Sequence, residues 1–496
     1  MGLKSTAAKI IAQRVALRMQ KDASRAVELQ EKLFRKLVKV GRQTAFGRDH
    51  HFDQITTYDD FKNRVEPHDY EYFVPYIDRI KNGESNVLWA GKPLYLCKTS
   101  GTTSGTKYIP LTKQSMPNHI SSARNALLSY VAETGQADFV EGKMIFLQGS
   151  PELDYLPSGV AYGRLSGIVA NHVPSYLQKN RMPTYATNCI EDWETKVHKI
   201  ADETMAQPMA LISGIPSWVQ MYFEILLEKS KAKNIAELFP KFSLFVYGGV
   251  NFEPYKAKFQ ALVGKSIPTI ELYPASEGFI AFQDSQIHEG LWLNINSGIF
   301  YEFVEASEWG RKDARRIALR DVQCDVNYVI LLTTNAGLWC YCIGDTVKFV
   351  SLTPHRIKVT GRIKHFTSAF GEHIIAEEAD TAMAHACQEL GIVVDEFHLA
   401  PQVQPASGLP YHEWFVESDS TMNTAALAHA LDEKMQSLNI YYRDLIVGNV
   451  LQSAKVTLVK KGAFNRYMAS QGKLGGQNKL PRLSNDRTIA DALENS

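Results

Sequence analysis

The chain has 496 residues, 45% of them apolar and 22% charged, with 54 basic against 53 acidic side chains and a formal net charge of +1. That length exceeds what one core supports, so two or three domains are expected, and the balanced charge gives no global field for nucleic acid or an anionic membrane. No run reaches the roughly eighteen apolar residues that span a bilayer, and six cysteines in so long a chain make no disulfide framework.

From the start of the chain, Lys9, Arg14, Arg18 and Lys21 interrupt any signal-peptide core. Ile10, Ile11, Val15, Leu17 and Met19 predict an amphipathic helix, expected to pack at a domain edge rather than lie on a membrane. Residues 1–85 read as a helical lead-in, with Val27–Val40 at helical spacing, and His50-His51 as loop surface. From Val87 onward short apolar runs alternate with helical patterns, as in α/β layers. Met144–Leu147, Met209–Ile212, Phe242–Tyr247 and Ile267–Leu272 are the predicted strands of one sheet, with helices over Ile190–Met205 and Trp218–Glu228. Strands at Leu291–Ile295, Ile299–Val304 and Tyr328–Thr333 predict a second, more antiparallel region. Leu338–Cys340 reads as strand-like, which would put Cys340 and Cys342 on one face as buried thiols, with no structural metal. The texture changes after Phe349–Arg362. A helix over Ile374–Leu390, strands at Phe397–Pro401 and Tyr411–Glu417, a helix over Thr424–Leu438 and a strand at Lys455–Val459 form a compact α+β unit. The expected division is 1–358 and 359–496.

Residues 98–110, Lys-Thr-Ser-Gly-Thr-Thr-Ser-Gly-Thr-Lys-Tyr-Ile-Pro, carry the strongest chemical signal. Gly101 and Gly105 let backbone approach an anion, the hydroxyls of Ser100, Thr102, Thr103 and Ser104 supply donors, and Lys107 adds a compact charge. This is a loop for phosphate oxygens, anchored by predicted strands at Leu94–Cys97 and Tyr108–Leu111. The spacing differs from that of a Walker A loop. Two further segments share its character. Glu271-Leu-Tyr-Pro-Ala-Ser-Glu277-Gly sets an aromatic, a hydroxyl and a carboxylate after an apolar run, and Tyr341-Cys-Ile-Gly-Asp345 places an aspartate after a glycine turn.

In order and separation these three segments resemble the motifs of the adenylate-forming superfamily: Thr-Ser-Gly-Thr-Thr-Gly-x-Pro-Lys, Tyr-Gly-x-Thr-Glu and Tyr-Arg-Thr-Gly-Asp. The departures are consistent. Ser104 is inserted before the second glycine, the proline before the lysine is missing, the glutamate motif is Tyr-Pro-Ala-Ser-Glu, and Cys342 replaces the arginine. With Thr44–Arg48, Tyr70–Tyr76, Tyr247-Gly-Gly249, Tyr301–Phe303 and Tyr411–Trp414, they are similar to the acyl-acid–amido synthetases named for the auxin-responsive Gretchen Hagen genes, specifically the bacterial members.

The resemblance implies an α/β fold: a large N-terminal adenylation domain with two sheets packed by helices, and a small α+β C-terminal lid. It implies ATP and Mg2+. Ser100, Thr102, Thr103 and Lys107 would orient the β- and γ-phosphates, with Glu277, next to Ser276, as the magnesium ligand. Asp345 would accept from the ribose hydroxyls, and Arg362 would contact ribose or phosphate near the hinge. Tyr247, Gly248 and Gly249 would line adenine, with Tyr273 as the other candidate for stacking. Lys479, in Gly475-Gly-Gln-Asn-Lys, resembles the lysine that enters the site for adenylation, and Lys473 and Arg482 are its rivals. The acyl pocket is placed over Tyr155–Ile168 and Val173–Tyr176.

The activity so implied is a two-step ligase reaction: a small carboxylic acid is adenylated with loss of pyrophosphate, and the acyl group passes to an amine, expected to be that of an amino acid. A ligase delivering the acyl group to coenzyme A would share every adenylation residue, and a non-catalytic nucleotide-binding protein is the third reading. An ATP-dependent reaction and the lack of an export signal point to the cytoplasm, with no nucleic-acid partner and no membrane insertion. The motifs specify neither the acid, the amine, the general base nor the oligomeric state.

Overall fold

The computed structural model describes residues 2–100, 106–173, 179–190, 192–249, 252–363, 369–370, 372, 374–419, 422–447, 450–474 and 480–494. The chain divides into two compact units, Met1–Gly249 with Ser266–Lys358, and Val250–Lys265 with Val359–Ser496.

In the first unit the lead-in is helical through Tyr70–Lys81. The first helix, Leu3–Ala23, packs on helix Met116–Thr134 by burying Ala12, Val15 and Met19, while Ile10, Ile11 and Leu17 stay exposed. The amphipathic expectation therefore holds for only part of its apolar set. Among the described residues a twelve-stranded sheet forms the backbone of this unit. Its parallel half runs Arg181–Met182, Lys143–Phe146, Met209–Ser213, Leu244–Gly248, Thr269–Ala275 in spatial order. Gly278–Phe282 turns back antiparallel on Thr269–Ala275. The antiparallel half then continues through Leu291–Leu293, His355–Arg362, Tyr341–Leu352, Asn327–Thr334 and Ile299–Glu305 to Arg316–Ala318. The region expected to be separate is thus continuous with the parallel sheet. Leu244–Gly248 and Met209–Ser213 are almost wholly buried, which is why they read as unbroken apolar runs. A second, four-stranded sheet sets Tyr95–Ser100 between Thr106–Leu111 (antiparallel) and Ala161–Gly163 (parallel), with Asp154–Tyr155 at the far edge.

Leu338–Cys340 is not a strand. Gly337 (φ +93°) and Cys340 (φ +45°) both take left-handed backbone, and the next strand begins at Tyr341. The run is apolar because Trp339 is buried against Phe46 and Phe52, not because it pairs. Cys340 is fixed by a buried ion pair. Glu302 and Arg316 meet at 3.1 Å, Tyr58 donates to Glu302 at 3.0 Å, and Arg316 donates to the Val65 carbonyl at 2.7 Å and to the Cys340 sulfur at 2.8 Å. His68 then brackets the turn, donating its N–H to the Cys340 carbonyl at 3.2 Å and accepting the Cys342 N–H at 2.8 Å.

The second unit packs helices Ala376–Leu390 and Thr424–Leu438 on a three-stranded sheet of Glu396–Gln402, Tyr411–Glu417 and Lys455–Leu458. Helix Glu253–Val263, which the sequence alone places in the N-terminal domain, belongs to this unit. Lys258 pairs with Asp395 at 2.6 Å, and the Tyr255 hydroxyl donates to Glu396 at 3.0 Å and accepts from Arg482 at 2.8 Å. Among the described residues no helix is long and apolar enough to cross a membrane.

The Glu302–Arg316 pair yields a stability prediction. Glu302→Ala leaves Arg316 charged, buried and uncompensated, so urea unfolding should show a loss of about 3–5 kcal/mol, and Glu302→Leu with Arg316→Met should recover most of it. Equal loss in the single and double variants would show that packing, not charge, carries the effect.

Candidate active site

The site assembles where the hairpin of the small sheet meets the turn between Thr269–Ala275 and Gly278–Phe282. Ser100 pairs with Thr106 and Thr99 with Lys107, so the hairpin register brings the two ends of the hydroxyl-rich segment side by side. Gly101, Thr102, Thr103 and Ser104 lie outside the described residues. Lys107 is held 5.4 Å above the ring of Tyr70, whose hydroxyl accepts the Tyr108 N–H at 2.9 Å. On the neighbouring strand, Tyr95–Ser100, Cys97 is buried and donates to the Ser276 hydroxyl at 3.2 Å. The Leu165 N–H also bonds Cys97, whose thiol burial pushes up to about 12. This contact fastens the loop-bearing strand to the residue beside Glu277.

Glu277 is half-buried at the tight turn. Removal from water raises its carboxyl above the ordinary carboxylate range. Its own N–H, the charge of Lys107 and a hydrogen bond from the Tyr341 hydroxyl oppose that rise, and the charge of Asp345 adds to it. Tyr341 is fully buried and packs 5.6 Å from Phe73, ring to ring. Asp345 reaches the same place through a backbone irregularity. Leu331 pairs with Cys342 but Val329 with Thr346, so Ile343, Gly344 and Asp345 form a bulge, with Gly344 at φ +88°. The bulge re-aims Asp345, which accepts the Tyr273 hydroxyl at 2.6 Å.

Tyr247 and Tyr273 stand at the carboxyl ends of adjacent parallel strands, Tyr247 paired with Glu271 and Gly248 with Leu272. A Cβ at Gly248 would lie 2.4 Å from the Leu272 carbonyl, so only glycine allows the two strands to close there. Gly249 follows at φ +88°. The Tyr247 hydroxyl reaches Glu271 at 3.4 Å. Tyr273, one of the two candidates for stacking on adenine, has its hydroxyl engaged on Asp345.

Lys107, Ser276, Glu277, Asp345, Tyr247, Gly248, Gly249 and Tyr273 therefore fall in the first unit, and Arg362 is an exposed residue of the second. Lys479 lies outside the described residues. Its rival Arg482 is committed elsewhere: it pairs with Asp380 at 3.1 Å and with Glu396, 4.5 Å over the Phe397 ring. Lys473 is exposed. Sequence reasoning missed Tyr341, Tyr70 and Cys97 as site residues, although Tyr341 opens one quoted motif and Tyr70 another. The signal was present in the motifs but not assigned to a role. Among the described residues no cluster of three or more His, Cys, Asp or Glu could hold a metal. One carboxylate at Glu277, with a second nearby at Asp345, fits a hard cation that takes most of its shell from phosphate oxygens and water.

Residues 16–180 and 160–268 match the GH3 family N-terminal domain, residues 292–362 its central domain and residues 377–488 its C-terminal domain. The chain belongs to the GH3 family. Among curated GH3 relatives it is similar to indole-3-acetic acid-amido synthetase GH3.3 of Arabidopsis thaliana, 24% identical over 208 residues, 39% of this chain and 35% of that protein. The chain thus spans about a third of the length of that relative. It is also similar to jasmonoyl-L-amino acid synthetase JAR4 of Nicotiana attenuata, 22% identical over 404 residues, 66% of this chain and 67% of the other. The solved GH3.15 acyl acid amido synthetase superposes with a TM-score of 0.79 at 17% identity, covering 97% of this chain and 95% of that one. A 2-hydroxyisobutyryl-CoA ligase in the postadenylation state gives 0.62 at 14%, covering 95% and 92%. At these identities the likeness is one of fold: this GH3 chain shares the α/β architecture of those two proteins.

The raised carboxyl of Glu277 sets a pH-dependent stability. A folded pKa above the unfolded one means that the native state keeps the proton longer, so stability is lost as pH rises from the ordinary carboxylate range through the raised value. Glu277→Gln should therefore melt higher than the parent protein without ligands at pH 7–8, with the gain vanishing once pH falls below the ordinary carboxylate range. A variant that melts lower at neutral pH would show that the Lys107 attraction outweighs dehydration.

Proposed function

We propose that this GH3 protein is an ATP-dependent, AMP-forming acyl-acid–amido synthetase. The observation that carries the reading is the meeting of Lys107, Glu277, Tyr341 and Asp345 at the edge of the loop-bearing hairpin, in a chain of this family. In the first step a carboxylate oxygen of the acyl acid attacks the α-phosphorus of ATP, the bond to the β-phosphate breaks, and pyrophosphate leaves. Two anions must approach, so positioning and charge neutralisation carry the step. Lys107, with Ser100, Gly101, Thr102, Thr103 and Ser104, draws charge from the triphosphate. Glu277 would hold Mg2+, which would neutralise charge on the triphosphate, and Tyr341 holds the Glu277 carboxylate in place. Asp345, oriented by Tyr273, accepts from the ribose hydroxyls. Tyr247, Gly248 and Gly249 flank the adenine, with Ser276 fixing the turn that presents Glu277. In the second step an amine nitrogen, most simply that of an amino acid, attacks the acyl carbon; AMP leaves and the amine gives up a proton.

Residues 359–496 act as the lid, with Arg362 near its start and Lys479 supplying charge to the first step. The Ser104 insertion and Cys342 support a reading within the bacterial branch, and the proposed reaction would belong where ATP is available, in the cytoplasm. The fold likeness to a CoA ligase favours one second reading, in which coenzyme A is the acceptor.

An acid-dependent ATP–pyrophosphate exchange screen, followed by amines and coenzyme A against the best acid, tests the proposal. Amine-dependent AMP release without a thioester is expected. Exchange with no acid would sink the enzyme reading, and thiol-dependent release would transfer it to the CoA ligases. Glu277→Gln should nearly abolish exchange even at saturating magnesium. Lys479→Ala should slow formation of the acyl-adenylate while largely sparing amide formation from preformed adenylate. Equal loss in both halves would give Lys479 a structural role only.

A further inference from the structure

Beside the nucleotide residues lies a second polar cluster whose donors outnumber its acceptors. Lys196, on helix Trp193–Thr204, is 2% exposed, and an ammonium so buried is ordinarily paired with a carboxylate. Among the described residues its Nζ donates only to two backbone carbonyls, Gln148 at 3.0 Å and Asn188 at 2.6 Å, which leaves one N–H of three without a described partner. The charge of Arg164 acts on it from nearby. Arg164 crosses Gly149 so closely that a Cβ there would lie 2.7 Å from Arg164 Cδ and 3.3 Å from a terminal nitrogen. Glycine therefore makes the room for this side chain. The Arg164 guanidinium, partly open to solvent, has no hydrogen bond or ion pair with any described residue. Three more buried polar groups have no hydrogen-bond partner among the described residues: the Gln148 side-chain N–H, the Ser166 hydroxyl and one acceptor, the Asn188 side-chain oxygen. One carboxylate, Glu152, acts in this neighbourhood on Cys189, whose thiol in turn feels Lys196.

The location is informative. Arg164 follows Gly163, which pairs with Cys97, and the next residue, Leu165, donates its N–H to Cys97. Cys97 bonds Ser276, the neighbour of Glu277. The cluster is thus joined to the adenylation residues through one thiol, on the side away from the Lys107 hairpin strand.

We propose that Arg164 and Lys196, with the Gln148 amide, bind the α-carboxylate of the amino-acid acceptor. This rests on the amido-synthetase reading above. Surplus donors with two cations and a single nearby acid are the complement of a carboxylate that carries an ammonium beside it. The acyl acid is the less suitable occupant. Its carboxylate is the nucleophile of the first step, and a fixed cationic pair would hold it in the ground state and weaken its attack on phosphorus. The acceptor's carboxylate is a spectator in both steps, so binding it costs the chemistry nothing and selects amino acids over simple amines.

Arg164 is the residue to test, since its exposed head can be replaced without opening the core. With the acid and amino acid chosen by the screens above, kcat/KM is compared for that amino acid and for the amine lacking its carboxylate. Arg164→Gln should lower the preference for the amino acid at least about tenfold, the loss expected for one charge-assisted hydrogen bond. Arg164→Lys should restore part of it, which a purely steric role would not. The change should fall on KM for the amine more than on KM for the acyl acid in pyrophosphate exchange. An unchanged preference in Arg164→Gln overturns the proposal. A rise in KM confined to the acyl acid also overturns it and assigns the cations to that carboxylate. A parent enzyme that forms no amide with any amine instead overturns the amido-synthetase reading itself, before any variant is made.

Discussion

The site depends on holding two acidic side chains, Glu277 and Asp345, near one another in a partly dehydrated place. Dehydration raises the cost of charging Glu277, and the charge of Asp345 adds to it. An isolated fold would relieve the strain by turning one carboxylate to water. This one instead gives each a tyrosine hydroxyl, Tyr341 on Glu277 and Tyr273 on Asp345, and brings Lys107 close enough to act on the first. The result is an acidic pair with positive charge on the adjoining hairpin. In the proposed reading a magnesium nucleotide would carry both complements at once, so its binding would relieve the two imbalances together.

Much of the remaining scaffold can be traced to that arrangement. Tyr341 must enter its strand directly after a left-handed residue, Cys340, and the buried Glu302–Arg316 pair holds that residue through its sulfur. The helical lead-in contributes through His68, which hydrogen-bonds both sides of the turn, and through Tyr70, which sits under Lys107. Cys97 ties the small sheet to the large one at Ser276. Residues dispersed over more than two hundred positions thus converge because each fixes one end of a strand or turn.

Legibility from sequence followed the range of the forces involved. The parallel strands were visible as apolar runs because both of their faces are buried, and Thr424–Leu438 was visible because helical periodicity is local. The three motifs were visible because each packs particular residue types, glycines, hydroxyls and a carboxylate or lysine, at short spacing. What local pattern misled was Leu338–Cys340, apolar through burial of Trp339 in an aromatic cluster and not through strand pairing. What it could not contain was partnership across long separations. Helix Glu253–Val263 goes with the second unit through Tyr255 and Lys258, whose partners lie 141 and 137 residues further on. Arg482 likewise looked like a rival to Lys479 until its buried acids, Asp380 and Glu396, were seen. The unpaired state of Arg164 and Lys196 is a negative property that no motif encodes.

The separation of the two cationic regions has its own logic in a reaction of two steps. In the proposed reaction, charge at Lys107 would serve a leaving group that departs after the first step, so it would be useful only while pyrophosphate is being formed. Charge at Arg164 and Lys196 would serve an acceptor that matters only afterwards. Placing both on one patch would let the acceptor's carboxylate compete for the triphosphate donors and slow adenylation. The fold keeps them apart by using the two neighbours of one central strand: Thr106–Leu111 carries Lys107 on one side of Tyr95–Ser100, and Ala161–Gly163 leads into Arg164 on the other. A single strand between two short partners is thus enough to order the chemistry in space, with Cys97 at its middle touching the turn that presents Glu277.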